Sequence, residues 1–388
     1  MFSLKLKNKS QRLIGNNEMS KKVSVFIPVY RESPFLELLL ESLVNDPYKD
    51  KEIHVVIDEP TNKSIETSRR FSEHVRFIFN GKRKGKANVL NELVKHATGD
   101  VFLFLDSDII IKNGDRSFLE TVVEEMMDAD IIEIKKDVIR DSLVAKITSY
   151  DYLSFSLSNW YISKKIGKCL GINGAAFAIR RETFESLGGF RRVVCEDLDI
   201  AARSFIKGAR FKFVDKIAVS TKAPSTFKEW FNQRKRWGIG TAFWFKEYFN
   251  LLKGVLREYP SIVLPVLLFL FPALPPLLMN IFVPDEPFIK MFFISLILLS
   301  ARTSVFLPPA AFTSTTLSTL RNFLVMIISL SVYSAFFYLM ARKFQFYFNP
   351  LEFTAFYFVL APLWLLIIIA GIIKVYVKPE SANIDWKV

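Results

Sequence analysis

The chain has 388 residues, a formal net charge of +13 and a hydrophobic fraction of 51%. A basic excess of this size is compatible with nucleic acid, anionic lipid or an anionic substrate, but no nucleic-acid recognition motif is present in the sequence. Cys169 and Cys195 are the only cysteines and form no CxxC pair, which offers no zinc site and favours a reducing compartment.

Hydrophobic residues are distributed unevenly along the chain. Residues 1–258 alternate apolar and charged stretches, whereas residues 261–377 are mostly apolar. Because the N-terminal residues lack the apolar core of a secretory signal, we expect the soluble part to stay in the cytoplasm. We therefore predict a multi-pass cell-membrane protein with five parts: a basic tail (1–21), a cytoplasmic soluble domain (22–225), interface helices (226–260), a transmembrane domain (261–377) and a C-terminal tail (378–388).

Apolar runs separated by segments with helical spacing characterise the soluble domain. Buried strands are predicted at Val23–Tyr30, Ile53–Asp58, Val75–Phe79 and within Val101–Ile111, where Asp106 and Asp108 end the strand, with helices between the strands. Strand–helix alternation with these run lengths predicts a doubly wound α/β sheet. In open sheets of this kind, ligands bind outside the carboxyl ends of the strands.

Acidic and basic side chains lie at those predicted strand ends. Asp58 ends the second strand, and Asp106 and Asp108 are spaced i, i+2, so both can point to one face of an extended segment. Such a pair can hold a divalent metal through oxygen, or it can be two solvated acids. The basic loop Gly81–Lys86 lacks the ending of a P-loop, but Lys86 opens a helix, where anions are favoured. Together these groups suit a nucleotide diphosphate with a metal.

Three later segments carry further candidate groups. Small residues within Gly171–Arg180 allow a ligand to approach the backbone closely. Glu196, Asp197 and Asp199 open a helix, where capping also explains acidic residues. The segment Gln233–Trp237 places a Trp beside basic residues, which suits a sugar and its phosphate. Contact with anionic lipid is the alternative for that segment.

Taken in chain order, these residues resemble the processive family 2 glycosyltransferases, the cellulose and hyaluronan synthase group. That family has an Asp after the second strand, a DxD, an ED and a QxxRW, matched here by Asp58, Asp106-Ser107-Asp108, Glu196-Asp197 and Gln233-Arg234-Lys235-Arg236-Trp237. Its opening strand end and its K-A-x-x-L-N helix are similar to Pro28-Val29-Tyr30-Arg31-Glu32 and to Lys86-Ala87 with Leu90-Asn91. The resemblance covers about residues 22–260 and implies a GT-A fold with a mixed sheet, followed here by an α-helical transmembrane domain.

The resemblance also implies roles for individual residues. The nucleotide-sugar donor is expected to contact Pro28, Tyr30, Glu32, Asp58, Lys86 and Asp106. Asp106 and Asp108 are expected to ligate Mg²⁺ or Mn²⁺. Asp197 is expected to be the general base, with Glu196 as its catalytic neighbour and with Glu196 or Asp199 as alternative bases. Gln233, Arg236 and Trp237 are expected to close over the donor and the acceptor end. Cys195 stands where the family usually has Thr, which removes no catalytic group.

The apolar C-terminal part is predicted to span a membrane four times, at 261–283, 288–310, 322–341 and 353–373, with the C-terminus in the cytoplasm. This arrangement places Arg342 and Lys343 outside, against the positive-inside rule. Three spans with a re-entrant segment would place both inside, but would move Lys374 outside. Arg302, within a predicted span, is a candidate for contact with a polysaccharide or a lipid phosphate.

The expected function is inverting transfer of a sugar from a nucleotide-diphosphate donor, with a UDP-sugar favoured, to a growing polysaccharide. The alternative in the same fold is transfer of one sugar to polyprenyl phosphate or another lipid acceptor. Because four spans are few for a secretion channel, a homo-oligomer is a candidate assembly. The lipid bilayer is an expected partner, and nucleic acid is not. A non-catalytic membrane scaffold is disfavoured because Asp108 and Asp197 are both present.

Overall fold

The computed structural model describes residues 21–112, 114, 116–282, 286–303 and 314–377. The predicted N-terminal tail, apart from Lys21, and the predicted C-terminal tail lie outside the described residues. The strands are β1 (Val23–Tyr30), β2 (Lys51–Asp58), β3 (Val75–Asn80), β4 (Val101–Leu105), β5 (Ile109–Ile111), β6 (Ile131–Ile139), β7 (Ala176–Arg180) and β8 (Phe211–Lys222).

Helices connect these strands and then make up the rest of the described chain. Those of the soluble domain are α1 (Leu36–Val44), α2 (Asn62–Arg70), α3 (Lys86–Val94), α4 (Phe118–Glu125), α5 (Leu143–Ile166), α6 (Arg181–Leu187) and α7 (Glu196–Ile206). Those that follow β8 are α8 (Phe227–Glu247), α9 (Phe249–Glu258), α10 (Pro260–Leu270), α11 (Leu274–Phe282), α12 (Glu286–Thr303), α13 (Ser314–Lys343), α14 (Pro350–Ala355) and α15 (Ala361–Val377). A π-helical turn, Phe356–Leu360, joins α14 to α15.

The strands form one mixed sheet in the order β3-β2-β1-β4-β7-β6-β8-β5. Strands β1 to β4 are parallel, β7 is antiparallel to both its neighbours, and β5 is antiparallel to β8. This arrangement confirms the predicted mixed α/β sheet. Because the parallel strands all end at the same edge, the side chains that follow them lie near one another.

The stretch Val101–Ile111 contains two strands: β4 ends directly before Asp106, as predicted, whereas Ile109–Ile111 forms a separate strand, β5, that the sequence did not predict. Strand β4 pairs with β1 and β7 at the centre of the sheet, whereas β5 pairs with β8 at its edge. Residues 106–108 therefore cross the carboxyl edge of the sheet between two pairing partners. Backbone bonds hold this crossing at both ends, from Asp106 N to Ala175 O at 2.9 Å and from Lys222 N to Asp108 O at 3.3 Å.

Aromatic rings fill one face of the sheet behind the crossing. The Phe104 ring lies 5.2 Å from the Phe26 ring, 5.0 Å from the Phe177 ring and 5.0 Å from the Phe190 ring. All four side chains are buried, and each contributes roughly 1.5–3 kcal/mol by leaving water. The packing therefore joins β1, β4 and β7 to the loop before α7.

The connection between α13 and α14 lies against the soluble domain. Lys135 Nζ on β6 donates to Phe344 O at 2.6 Å. The Tyr150 hydroxyl on α5 accepts from Asn349 N at 2.8 Å and donates to Asn349 O at 3.0 Å. Lys343 Nζ lies 3.7 Å from the centre of the Trp160 ring. The C-terminal end of α13 and the start of α14 are therefore both fixed to β6 and α5.

Helix α15 packs along α8 with very little space between the two backbones. A Cβ atom on Gly371 would lie 2.7 Å from Gly238 O, and one on Gly238 would lie 2.9 Å from Ile367 Cγ2. Further along, Lys246 Nζ lies 5.6 Å from the centre of the Tyr376 ring. The two glycines where α8 meets α15 thus permit a backbone contact that larger side chains would prevent.

Two described helices, Ser318–Lys343 and Pro350–Val377, have the length and apolar composition of a membrane span. Part of each exposes large apolar side chains, among them Val332, Leu339 and Leu366. The predicted span 261–283 is divided between α10 and α11 in its described part, and the predicted span 288–310 is described only to Thr303. The division into five parts and the number of spans stay predictions.

Candidate active site

A salt-bridge cluster joins the DxD crossing to the start of α7. Lys86 Nζ, at the first residue of α3, lies 2.6 Å from Asp106 Oδ1 and 3.5 Å from Glu196 Oε1. It also donates to Gly174 O at 3.4 Å. Although burial lowers the pKa of Lys86, the charges of Asp106 and Glu196 raise it above its ordinary value overall. The structure thus brings together three residues that are 20 to 110 positions apart in the sequence.

Asp108, at the other end of the crossing, is a strongly perturbed acid. Burial raises the pKa of Asp108 to about 6, the neighbouring Asp106 adds to the shift, and Lys86 opposes it. Two carboxylates with too little positive charge between them are a natural site for a divalent cation. Within the described residues, no group of three or more His, Cys, Asp or Glu side chains is arranged to hold an ion alone. A metal at Asp106 and Asp108 would therefore need oxygens from a ligand as well.

Asp58 fixes the basic loop that precedes α3. Its Oδ2 accepts from Lys84 N at 2.7 Å and Gly85 N at 3.2 Å, and its Oδ1 accepts from Asn80 Nδ2 at 2.9 Å. Gly85 has φ +85°, a conformation that a side chain would strain. The predicted nucleoside residue Asp58 is thus already occupied by its own loop, which it holds at the sheet edge.

The other predicted donor residues lie around the end of β1. Arg83 packs its guanidinium 4.0 Å from the centre of the Tyr30 ring, and the Tyr30 hydroxyl donates to Glu59 Oε2 at 3.1 Å. Glu32 Oε2 accepts from Thr61 Oγ1 at 2.7 Å. Pro28, which has no N–H, lies beyond Phe26, where the pairing of β1 with β4 stops. An exposed aromatic ring next to a cation is a suitable surface for a base or a sugar.

The three acids at the start of α7 have different surroundings. Asp197 is held by backbone amides, with Gly174 N donating to Oδ2 at 3.0 Å and Leu198 N donating to Oδ1 at 2.8 Å. A Cβ on Gly174 would lie 3.0 Å from the Asp197 side chain, so a glycine is needed for this approach. Burial raises the pKa of Glu196 to about 7, with Lys86 opposing and Asp197 adding to the shift.

Asp199 is the third acid, and its carboxylate forms ion pairs and a hydrogen bond within the fold. It is 2% exposed, and it accepts from Arg203 Nε at 2.8 Å, Arg191 Nη1 at 3.1 Å and the Tyr248 hydroxyl at 2.7 Å. A carboxylate that neutralises two guanidinium groups while buried is poorly suited to accept a proton from a substrate. Asp197 is therefore the better general-base candidate of the two.

The QxxRW segment on α8 separates into buried and partly exposed residues. Arg234 is 3% exposed, donates to Asp151 Oδ2 at 2.9 Å and lies 4.5 Å from the centre of the Trp237 ring. Arg236 is partly exposed and is close enough to Cys195 to oppose the rise in its pKa that burial causes. Gln233 Oε1 is buried with no hydrogen-bond partner among the described residues. The segment thus lies beside the start of α7.

Two residues of α5 also belong to this region and were missed in the sequence. Asp151 holds Arg234, and burial raises the pKa of Asp151 while Arg234 lowers it. Burial raises the pKa of Tyr152 to about 12, with Arg234 opposing and Asp108 adding to the shift. Tyr152 therefore lies between the DxD crossing and α8. The available signal was that Asp151 is the only acidic residue of α5.

Comparison with known proteins shows what the sheet-forming part of the chain is similar to. The Glycosyl transferase family 2 profile matches residues 24–187. The chain is 29% identical over 233 residues to a "Probable glycosyltransferase YdaM" of Bacillus subtilis, covering 57% of this chain and 56% of that protein. It is 22% identical over 247 residues to "Poly-beta-1,6-N-acetyl-D-glucosamine synthase" of Staphylococcus aureus, covering 62% and 60%. The chain thus spans less than two thirds of the length of these curated relatives.

A solved structure shares the fold. The mannosyltransferase PcManGT from Pyrobaculum calidifontis, in complex with GDP-Man and Mn²⁺, aligns with a TM-score of 0.51 at 19% identity, over 84% of this chain and 94% of that one. At this identity the likeness shows the fold, which is the GT-A-like arrangement expected from the motifs. The profile therefore identifies a glycosyl transferase family 2 domain in residues 24–187, and this part of the chain is similar to glycosyltransferases.

Proposed function

We propose that this chain transfers a sugar from a nucleotide-diphosphate donor, with a UDP-sugar favoured, to the end of a growing polysaccharide, with inversion at the anomeric carbon. The observation that carries the proposal is the salt-bridge cluster in which Lys86 lies 2.6 Å from Asp106 and 3.5 Å from Glu196. This cluster places Asp106, which is expected to contact the donor, beside the start of α7, which carries the expected base Asp197. Asp106 and Glu196 lie on different elements, with Lys86 between them. Two acids and a lysine arranged in this way are suited to the displacement of a diphosphate.

The donor is expected to occupy the edge formed by β1, β2 and the basic loop. Tyr30 and Arg83 offer a stacking surface, Asp58 holds the loop, and Lys86 supplies positive charge for the diphosphate. The solved structure with the same fold is a mannosyltransferase complex with GDP-Man, which supports a nucleotide sugar as the donor class. The base and the sugar that this chain selects remain part of the proposal.

Asp106 and Asp108 fit a divalent metal, Mg²⁺ or Mn²⁺. The observation in favour is the neighbouring pair of carboxylates, because burial and Asp106 raise the pKa of Asp108 to about 6 even though Lys86 opposes the shift. Mg²⁺ is commonly bound by one or two carboxylates together with substrate phosphates, which matches the absence of a third ligand among the described residues. When bound, the ion would supply positive charge to the departing diphosphate.

Asp197 is proposed to accept the proton of the acceptor hydroxyl. As that oxygen forms its bond to the anomeric carbon, the bond from this carbon to the diphosphate oxygen breaks, and the proton passes to an Asp197 oxygen. Gly174 N donates to Asp197 Oδ2 and thereby fixes the orientation of the carboxylate. Gln233, Arg236 and Trp237 are proposed to contact the acceptor end and the donor, since they lie on α8 beside Cys195 and Glu196.

The C-terminal helices are proposed to lie in a lipid bilayer, with the sheet on its cytoplasmic side. Phe344 and Asn349 contact β6 and α5, so both ends of the α13–α14 connection face the soluble domain. This contact favours an arrangement with a re-entrant segment, because four full spans would place Lys343 on the far side. The exposed apolar side chains of these helices also support a second acceptor class, a lipid such as polyprenyl phosphate. A homo-oligomer is proposed only for the polymerising enzyme.

The test is an incubation of membranes containing the full chain with a panel of radiolabelled nucleotide sugars, followed by sizing of the product. We expect transfer from one donor, loss of transfer in excess chelator, recovery with Mg²⁺ or Mn²⁺, and loss in Asp108→Asn. A long product supports polymerisation, whereas one sugar in the lipid extract supports the lipid acceptor. Full transfer in chelator would reject the metal site, and no transfer from any donor would reject the proposed function.

A further inference from the structure

A buried ion pair lies behind the loop that contacts Asp197. Glu133 and Lys136 are both on β6 and are 0% and 2% exposed, and Lys136 Nζ lies 3.2 Å from Glu133 Oε1. Residues three apart on a regular strand point to opposite faces. Here the two side chains meet nevertheless, in a part of β6 where the pairing with β8 shifts register between Ile134 and Lys135. The proposed function gives this pair no role.

Most hydrogen bonds of the pair go to one loop, Asn173–Ala176. Lys136 Nζ donates to Asn173 O at 2.9 Å and to Ala176 O at 3.3 Å. Glu133 Oε2 accepts from Asn173 N at 3.2 Å and from Asn159 Nδ2 at 2.6 Å. Burying two charges costs several kcal/mol for each ion, so these bonds are needed to offset their desolvation. The loop is therefore held from behind at both ends by groups that water does not reach.

The front of the same loop contacts the proposed catalytic groups. Gly174 N donates to Asp197 Oδ2 at 3.0 Å, and Gly174 O accepts from Lys86 Nζ at 3.4 Å. Ala175 O accepts from Asp106 N at 2.9 Å. The segment Asn173–Ala176 thus contacts the proposed base Asp197, the backbone of Asp106, and Lys86, which is proposed to bind the diphosphate. A displacement of this segment would move all three together.

We propose that Glu133 and Lys136 are positioning residues for transfer: they fix Asn173–Ala176 so that Gly174 N orients the Asp197 carboxylate toward the acceptor. The inference rests on the proposed function, in which Asp197 is the base. Neither residue touches a substrate in this account. A hydrogen-bonded pair behind the loop is a rigid support of the type that keeps catalytic groups within reacting distance.

The test compares Lys136→Met, Glu133→Met/Lys136→Met and Lys135→Met in the full chain. Lys136→Met leaves Glu133 buried without its cation, so it is expected to lose stability and to lower kcat by about 10- to 100-fold. The double variant replaces both charges with apolar groups of similar size, which restores stability. We expect its kcat to stay low, with the donor KM within about threefold of wild type, because the loop remains unsupported.

Lys135→Met is the matched control. Lys135 is the neighbouring buried lysine on β6, and its ammonium donates to Phe344 O and not to the loop. It is expected to lose stability while it keeps the wild-type kcat. If the ion pair only stabilises the fold, kcat returns with stability in the double variant. A double variant with wild-type kcat would overturn the proposal.

Hydrogen exchange of the Gly174 amide gives a second measurement that needs no turnover. This amide is expected to be protected in wild type and Lys135→Met, and to exchange faster by about tenfold or more in both Lys136 variants. Equal protection in all four proteins overturns the positioning role. An active wild type with unchanged exchange in the variants rejects this inference alone. A wild type inactive with every donor rejects the proposed function, and the exchange rates still show whether the pair holds the loop.

Discussion

The proposed donor side and the proposed acceptor side of the site are built differently. The donor side consists of strand ends, where the Asp58 carboxylate has three hydrogen bonds and where Arg31 and Glu59 adopt left-handed φ angles of 62° and 52°. The acceptor side consists of α8 packed on α15, where Gln233 Oε1 and Arg234 Nε are buried without partners among the described residues. Strained residues persist only where surrounding contacts hold them, so the donor side is formed before any ligand binds.

This contrast indicates that the two halves depend on different parts of the chain. The donor side depends on the register of β1, β2 and β3, which the apolar sheet core determines. The acceptor side depends on the C-terminal helices, since α8 contacts α15 through Gly238 and Gly371. Unpartnered buried polar atoms cost about 1–3 kcal/mol each.

The largest effect is expected at Asp197, where the two sides meet. Asp197→Asn keeps the size of the side chain and an oxygen for one of its two backbone hydrogen bonds, but it cannot accept a proton. We expect transfer to fall by a factor on the order of 100 or more, with nearly unchanged donor affinity. Initial rates and equilibrium binding of the nucleotide measure the two quantities.

The matched control is Asp199→Asn on the same helix. It removes the charge that neutralises Arg191 and Arg203, so thermal stability should fall while the donor KM is retained. An Asp197→Asn enzyme with normal turnover, together with an inactive Glu196→Gln enzyme, would move the base to Glu196.

A smaller effect that isolates the acceptor side is expected from Gly371→Val. The added side chain would push against Gly238 O, which a Cβ on residue 371 already approaches to 2.7 Å, and so displace α8 from α15. We expect transfer to the glycan to fall by about tenfold, while donor hydrolysis in the absence of acceptor stays near wild type. Gly254→Val on α9 is the control, because a Cβ there meets open space. Equal losses of transfer and donor hydrolysis would show that displacement of α8 affects the donor side as much as the acceptor side.

The corresponding change on the donor side is Asp58→Asn. An amide oxygen can replace only part of the carboxylate's hydrogen bonds to Lys84 N and Gly85 N, so the basic loop should loosen. We expect the donor KM to rise by about fivefold with little change in kcat. Steady-state kinetics with the donor varied and the acceptor saturating provide the measurement. A fall in kcat at constant KM would contradict the assignment of Asp58 to the donor side.

The smallest effect concerns stability and pH at Glu196. Burial raises the pKa of Glu196 from 4.5 to about 7, so folding favours the protonated acid and stability is lost as pH rises through this interval. Glu196→Gln should therefore raise the midpoint of thermal unfolding at pH 8 by about 3 °C or more. The difference from wild type should vanish below about pH 4.5. A constant difference across this range would assign the effect to packing instead.

The sequence was sufficient to predict where residues that follow strands would lie, because the carboxyl ends of parallel strands meet at one edge of the sheet whatever the details of packing. Asp58 and Asp106 were identified in this way, whereas Lys86 and Glu196 were identified at the starts of helices. Glu133 and Lys136 could not be identified, since their spacing on a strand predicts opposite faces and the register shift at Ile134 depends on pairing with β8. Pairing also explains why β5 lies at the sheet edge: its partner, β8, is more than 100 residues away in the chain.

The QxxRW segment shows a second limit of sequence reasoning. The motif directs attention to Arg236, yet the buried arginine is Arg234, whose partner Asp151 lies on α5. Helical periodicity indicates which residues share a face, but it does not indicate which face meets α5 and which meets the site. That choice depends on where α15 packs against α8.

The contact between Gly238 and Gly371 has a mechanical consequence. Because the two backbones meet directly, little side-chain adjustment is available to let one helix slide, so α8 and α15 are expected to tilt as one rigid unit. The open side of α15 carries Leu366, Ile369 and Ile373. If this side faces lipid, a thinner or thicker bilayer would tilt α15 and carry the Gln233–Trp237 segment with it. Turnover in nanodiscs of graded acyl-chain length should then vary for wild type, and a flat response would disprove this coupling.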